Sequence, residues 1–246
     1  MQTIWIENFK IKSYEAEPSG KVRLESLFNY LQEAAGNHAA DLSVGFDDLS
    51  KKHLFWVLSR IKIVVNELPI WGDEIVIHTW PKGIDKLFAL RDFSIRNKYN
   101  KEIITATSAW LLVDEEKFRL HKIEDLGIAL PDNDRKEAIH GTPEKITSSE
   151  NPSKVFSQKI DFSDIDYVYH TNNTRYPSWI MNCYNPEYHK NNSIKSIQIN
   201  YLEQSRFGET LELHLIETEK PGVHFFEGIK VDTSTKVFQA IVEWNT

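Results

Sequence analysis

The sequence predicts an α+β protein built from two like halves, each a helix laid against an antiparallel sheet. Three observations predict it. One stretch of the chain occurs twice. Each copy is preceded by apolar residues at helical spacing. A polar segment rich in Pro, Ser and Asn separates the copies.

The repeat aligns without a gap. IKIVVNELPIWGDEIVIH at 61–78 lies on IQINYLEQSRFGETLELH at 197–214, matching Ile61 with Ile197, Glu67 with Glu203, Gly72 with Gly208 and His78 with His214. Apolar and polar residues alternate on both sides of the glycine. That reads as two strands paired with each other across a Gly-Asp or Gly-Glu turn. Further on, TATSAW at 105–110 takes the place of QAIVEW at 239–244. Ahead of the first copy, Leu24, Leu27, Phe28, Leu31, Ala34, Ala35 and His38 form one apolar stripe, so a helix is expected over 21–40 with that stripe against a sheet. Ahead of the second, Tyr176, Trp179, Ile180, Cys183 and Tyr184 do the same over a shorter length. Pro177 has no N–H, so that helix starts close to Tyr176 or bends there. The expected divisions are an N-terminal half at 1–130, a polar linker at 131–153 and a C-terminal half at 154–246.

Composition narrows the classes of function. A formal net charge of −7 argues against nucleic acid as the main partner, because duplex binding needs an excess of Lys and Arg. No apolar run is long enough to span a bilayer, and the N-terminus shows no signal-peptide pattern. A lone cysteine, Cys183, forbids an internal disulfide and fits a reducing cytoplasm. Its place on the apolar stripe reads as a buried structural thiol. Without CxxC, HExxH or a Cys/His cluster, neither a metal nor another cofactor is expected.

DFSDIDYVYHTNNTRYPSW at 161–179 sets three aspartates, a histidine and two asparagines before a helical apolar stripe. That stretch carries the second half of a family resemblance. LESLFNYLQEAAGNHA, LFWVLSRIKIVVNELPIWGDEIVIHTW and RDFSIRN resemble the N-terminal half of the plant and bacterial acyl-acyl carrier protein thioesterases. DIDYVYHTNNTRYPSW resembles that family's second-half motif, in which an Asp-rich turn leads through His and Asn-Asn into a helix. The resemblance covers nearly the whole chain. It implies a tandem hotdog fold, hydrolysis of a fatty acyl thioester and acyl carrier protein as partner; the acidic site missing from the first copy suggests that the first half holds the acyl chain while the second does the chemistry. The first copy has EPSGKVRLES at its helix entry and nothing like Asp-x-x-x-His.

The resemblance puts Asp166 and His170 in the catalytic positions. The carboxylate can accept a proton from water or orient it, and the imidazole can complete its network or assist the departing thiolate. Unpaired N–H groups at the start of the following helix would meet a developing oxyanion, with Asn172 or Asn173 as N-cap. Gln204 and Ser205 complete the supporting region. The chain departs from the family pattern here: Val168 stands where plant members have asparagine, Gln204 where they have glutamate and Ser205 where a cysteine often follows. Glu203, beside Gln204 on an expected strand, would face the other way without a bulge.

Two other functions share these residues. One is hydrolysis of coenzyme A thioesters; the other is acyl-carrier binding without turnover, which Val168 and Gln204 favour. An acidic carrier requires a local basic patch on this acidic chain, for which Arg175, Lys82, Lys86 and Arg91 are the candidates. The two halves can pair with each other, so a monomer or a homodimer is expected.

Overall fold

The computed structural model describes residues 2–117, 119–127, 130, 131, 133, 136–147 and 152–245. It divides into two compact units, Met1–Pro143 and Glu144–Thr246. The expected linker at 131–153 falls partly outside the described residues, at 132, 134, 135 and 148–151.

In the first unit, strands β1 (Trp5–Lys10), β2 (Leu54–Val65), β3 (Glu74–Asp85), β4 (Phe88–Asn97) and β5 (Glu102–Asp114) run in the order β1-β3-β4-β5-β2, with the short β6 (Arg119–Leu120) beside β5. All neighbouring pairs are antiparallel. Helix α1 (Leu24–Asp41) begins three residues later than expected and buries Leu24, Leu27, Phe28, Leu31, Ala34, Ala35 and His38. A short helix α2 (Phe46–Ser50) follows it.

The second unit repeats the plan. β7 (Lys154–Lys159), β8 (Ser193–Tyr201), β9 (Thr210–Glu217), β10 (Val223–Lys230) and β11 (Lys236–Asn245) run in the order β8-β11-β10-β9-β7, all antiparallel. Its helix is broken in two, α3 (Arg175–Asn182) and α4 (Pro186–Asn191). Pro177 lies in the first turn of α3, where its missing N–H costs nothing, and Pro186 opens α4.

The strands flanking each glycine turn are not paired with each other, contrary to the sequence reading. β5 lies beside β2, and β11 beside β8. The turn instead bonds back to the first strand of its own unit. Ile11 N–H donates to Asp73 O and Gly72 N–H to Ile11 O; Ile160 N–H donates to Glu209 O and Gly208 N–H to Ile160 O. Gly72 and Gly208 take φ of 90° and 86°, which explains why both copies keep glycine there.

The connecting segment is bound where the sequence suggested a solvated linker. On the first unit, Lys82 Nζ donates to Ile139 O and Gly141 O at 2.7 Å each, Ala138 N–H donates to Asp92 Oδ2 at 2.6 Å, and Trp80 Nε1 donates to Lys136 O at 2.9 Å. On the second, Gln198 Nε2 and Asn200 Nδ2 both donate to Glu144 O, and Ile146 packs with Ile216, Phe225 and Ile241.

Candidate active site

Past β7, residues 162–164 make a single 3-10 turn tied down by Asp164. Its Oδ2 accepts from Asp161 N–H at 2.9 Å and its Oδ1 from Arg175 Nε at 2.7 Å. A bridge between Ile165 and Thr171 then closes a loop whose rim is 166–170. Asp166 N–H donates to His170 O, and Tyr169, at φ 62°, donates to Asp166 O. The Asp166 carboxylate helps to build this loop: Oδ1 accepts from Val168 N–H at 3.0 Å and from His170 N–H at 3.1 Å. Among the described residues Oδ2 accepts nothing, so the fixed carboxylate keeps an oxygen for an outside donor such as water.

The loop rests on a buried hydroxyl cluster. Thr171 donates its N–H and Oγ1 to Ser205 O, at 3.1 and 2.9 Å. Ser205 Oγ lies 3.0 Å from Thr171 Oγ1 and 2.7 Å from Tyr176 OH. Burial pushes the Tyr176 phenol up to about 12, so it stays a neutral hydrogen-bonding group. Ser205 is 1% exposed and acts by holding the turn, not by meeting a substrate.

His170 is half-buried, and among the described residues its ring makes no hydrogen bond. Burial lowers its pKa; the Asp166 charge opposes that shift and Arg206 adds to it. The ring is therefore mostly neutral near pH 7, with nitrogens available to a ligand or water.

Several sequence expectations change at the helix entry. The N-cap of α3 is Thr174, not Asn172 or Asn173. Asn172 accepts from Thr174 N–H through Oδ1 and from Arg175 N–H through its carbonyl, while Asn173 O accepts from Tyr201 OH. With these N–H groups satisfied and Pro177 offering none, the helix start supplies fewer oxyanion donors than the motif suggested. A bulge does exist after β8: Leu202 and Glu203 N–H both donate to Val237 O. Gln204 lies beyond it in a loop, half-buried, and Glu203 remains exposed.

Of the basic docking candidates, only Lys86 is exposed. Arg175 is held by Asp164. The Lys82 side chain is 4% exposed and lies 3.2 Å from buried Asp92. Arg91 reaches into the helix–sheet layer, where NH1 donates to His38 Nδ1 and Thr79 Oγ1 and burial lowers its pKa to about 10. Fully buried His38 completes that cluster through Nε2 to Gln2 O. Cys183 caps α3, its thiol bonded to Trp179 O and raised by burial to about 12, so it is a poor nucleophile. Among the described residues no His/Cys/Asp/Glu group is arranged to hold a metal.

The first copy does have a counterpart of the Asp166 turn. The Ala16–Val22 bridge matches Ile165–Thr171, Glu17 N–H donates to Lys21 O, and Gly20 N–H donates to Glu17 O. Glu17 thus holds the place of Asp166, and Lys21 that of His170.

Family models fit both units. That for the acyl-ACP thioesterase N-terminal domain matches residues 2–129, and that for the C-terminal domain matches 147–246. The chain belongs to the acyl-ACP thioesterase family. Among its relatives, the chloroplastic palmitoyl-acyl carrier protein thioesterase of Gossypium hirsutum is 32% identical over 72% of this chain and 46% of its own length. The chloroplastic dodecanoyl-[acyl-carrier-protein] hydrolase of Cinnamomum camphora is 26% identical over 98% of this chain and 67% of its own. This chain spans about half the length of the first of these curated relatives. A solved acyl-ACP thioesterase from Bacteroides thetaiotaomicron superposes with TM-score 0.84 at 25% identity, covering 99% of this chain and 98% of that one. The 12:0-ACP thioesterase from Umbellularia californica superposes at 0.87 and 23%, covering 100% and 98%. The fold is the tandem hotdog of this acyl-ACP thioesterase family.

Proposed function

We propose that this protein hydrolyses fatty acyl thioesters of acyl carrier protein, releasing the free acid and the carrier thiol. Family membership supports the reaction class. The observation that carries the reading at the residue level is the Asp166 turn, a carboxylate fixed by two backbone N–H groups with its other oxygen left over. Asp166 orients water and draws its proton as the oxygen attacks the thioester carbonyl. The C–S bond then breaks, and the proton drawn from water passes from Asp166, by way of the neighbouring His170 imidazole, to the departing thiolate. Gln204 and Asn173 adjoin in sequence Ser205 and Asn172, which hold the backbone of the site.

The division of labour rests on the two helix layers. The buried face of α1 carries small side chains at Ala34 and Ala35, beside Gly36, along an 18-residue helix. The corresponding layer of the second unit is filled with rings: Tyr176 packs on Trp179, Tyr201 and Phe238 at 5.0–5.4 Å between centroids. The first layer also buries Phe28 and Tyr30, and it is the lack of the Asp and His pair that leaves the first unit to hold the acyl chain. Chain length does not carry over from the relatives, whose names run from dodecanoyl to palmitoyl and oleoyl. The protein works without a cofactor, as a monomer of two pseudo-equivalent units or as a homodimer.

Thiol release from a panel of acyl carrier protein and coenzyme A thioesters tests this. Preference for carrier-linked substrates is expected. Binding without thiol release would make the protein an acyl-carrier binder instead.

A further inference from the structure

Arg206 projects from the loop that holds the Asp166 turn. Its neighbour Ser205 accepts two hydrogen bonds from Thr171, and its charge acts on His170. It is exposed, and among the described residues its guanidinium has no acidic partner. Exposed rings accompany it: Phe207 follows directly, at 64%, and Tyr169 stands on the facing rim beside His170, at 83%. Tyr169 has a left-handed backbone, φ 62°, of the kind that favours glycine.

The twin turn forms without the arginine and without the Tyr169 ring, although Trp71, 65% exposed, stands there in the place of Phe207. Arg206 N–H donates to Glu209 Oε2 at 3.0 Å; in the first unit Ile70 N–H donates to Asp73 Oδ2 at 3.0 Å. Ile70 therefore occupies the arginine's place, as Gly20 occupies that of Tyr169. The unit carrying the Asp and His carries the arginine, and the other makes the same backbone without it. An exposed planar guanidinium beside a thioester site matches a phosphate oxygen pair.

We propose that Arg206, flanked by Phe207 and Tyr169, binds the phosphate of the phosphopantetheine arm that delivers the acyl thioester. This rests on the thioesterase reading and adds to it a subsite for the part of the substrate that does not react. The arm's amides lie across the two exposed rings, and the arginine fixes the charged end.

The test compares acyl-4′-phosphopantetheine with acyl-pantetheine carrying the same acyl group. The wild-type protein favours the phosphorylated substrate in kcat/KM by on the order of tenfold, mainly through KM. Arg206→Ala brings the ratio to near one, and Arg206→Lys restores part of it. An unchanged ratio in Arg206→Ala overturns the proposal, as does equal loss on both substrates. A loss confined to whole acyl carrier protein also overturns it, since the arginine would then meet the carrier surface. Calorimetric titration with free phosphopantetheine and free pantetheine gives a readout independent of turnover. Selective binding of the phosphorylated compound without thioester hydrolysis would keep the subsite and remove the thioesterase reading; hydrolysis without selectivity would do the reverse.

Discussion

The turns at 17–21 and 166–170 have the same backbone and different chemistry. Each follows a 3-10 turn tied by a carboxylate, Glu15 on Lys12 N–H at 2.6 Å and Asp164 on Asp161 N–H at 2.9 Å. Each is closed by a bridge at matching positions and leans on the glycine turn of its own unit. Yet the first carries Glu17, Gly20 and Lys21, and the second Asp166, Tyr169 and His170. The Glu17 carboxylate is engaged by the Ser19 hydroxyl, and its longer side chain bonds none of the loop N–H groups that Asp166 holds. Loop geometry alone therefore does not make a site. In the proposed mechanism, chemistry enters with a short carboxylate locked by the backbone beside a neutral imidazole.

The two units also hold the connecting segment by different means, and the largest stability effect is expected there. Lys82→Ala leaves Asp92, which is fully buried and has a carboxyl already raised by burial, without its ion partner. Removing one partner of a buried pair costs about 3–5 kcal/mol. Asn200→Ala on the second unit removes one neutral donor from Glu144 O and costs about 1 kcal/mol. Urea melts of both variants check the contrast; equal losses would show that the buried charge pair adds nothing special.

Acidification sharpens it next. Burial holds His38, His78, His170 and His224 below the ordinary imidazole range. The unfolded chain titrates near about 6.5, so between that value and the lower folded values it binds more protons than the native state. Stability is thus full above about pH 7 and falls as pH drops through that window. His38→Gln, at the ring enclosed by Gln2 O and Arg91, flattens the slope more than His170→Gln does. Thermal melts from pH 5 to 8 read this out; a slope unchanged in His38→Gln would contradict it.

A smaller effect separates the turns themselves. Gly20, at φ 83°, has open space where a Cβ would go, so Gly20→Ala suffers the left-handed backbone cost, about 1 kcal/mol. Tyr169→Gly relieves a similar strain, offset in part by the greater freedom of its unfolded chain, while weakening substrate binding. Opposite signs of the two changes in midpoint are expected, and a shared sign would break the equivalence.

Much of the fold was legible because burial is periodic. The repeat, the first helix with its apolar face and the start of the second follow from spacing alone, whereas the break that leaves Cys183 and Tyr184 beyond α3 does not. Strand pairing was not, since nothing local in the 61–78 segment says that β5 will lie beside β2. The twin turn was hidden for a different reason. EPSGK and DYVYH share only an acidic first residue, because this loop asks for backbone hydrogen bonds and a left-handed fourth residue, which many sequences satisfy. Lys82 and Arg91 looked like surface charges. The segment that covers Lys82 lies more than fifty residues away, and the His38 that meets Arg91 is on another element. Asp166 and His170 lie in the family motif, whereas nothing local marks Arg206, whose place depends on the contact of its loop with Thr171 and on Ile70 in the twin.

On the proposed mechanism, only one of the two equivalent turns does chemistry. Steady-state hydrolysis of a single acyl carrier protein substrate by Asp166→Asn and Glu17→Gln, with circular dichroism to confirm folding, tests it most directly. Asp166→Asn should lose about 10²–10⁴-fold in kcat, the usual range for a general base, while Glu17→Gln stays within about twofold. An active Asp166→Asn protein, or a comparable loss in Glu17→Gln, would contradict the account.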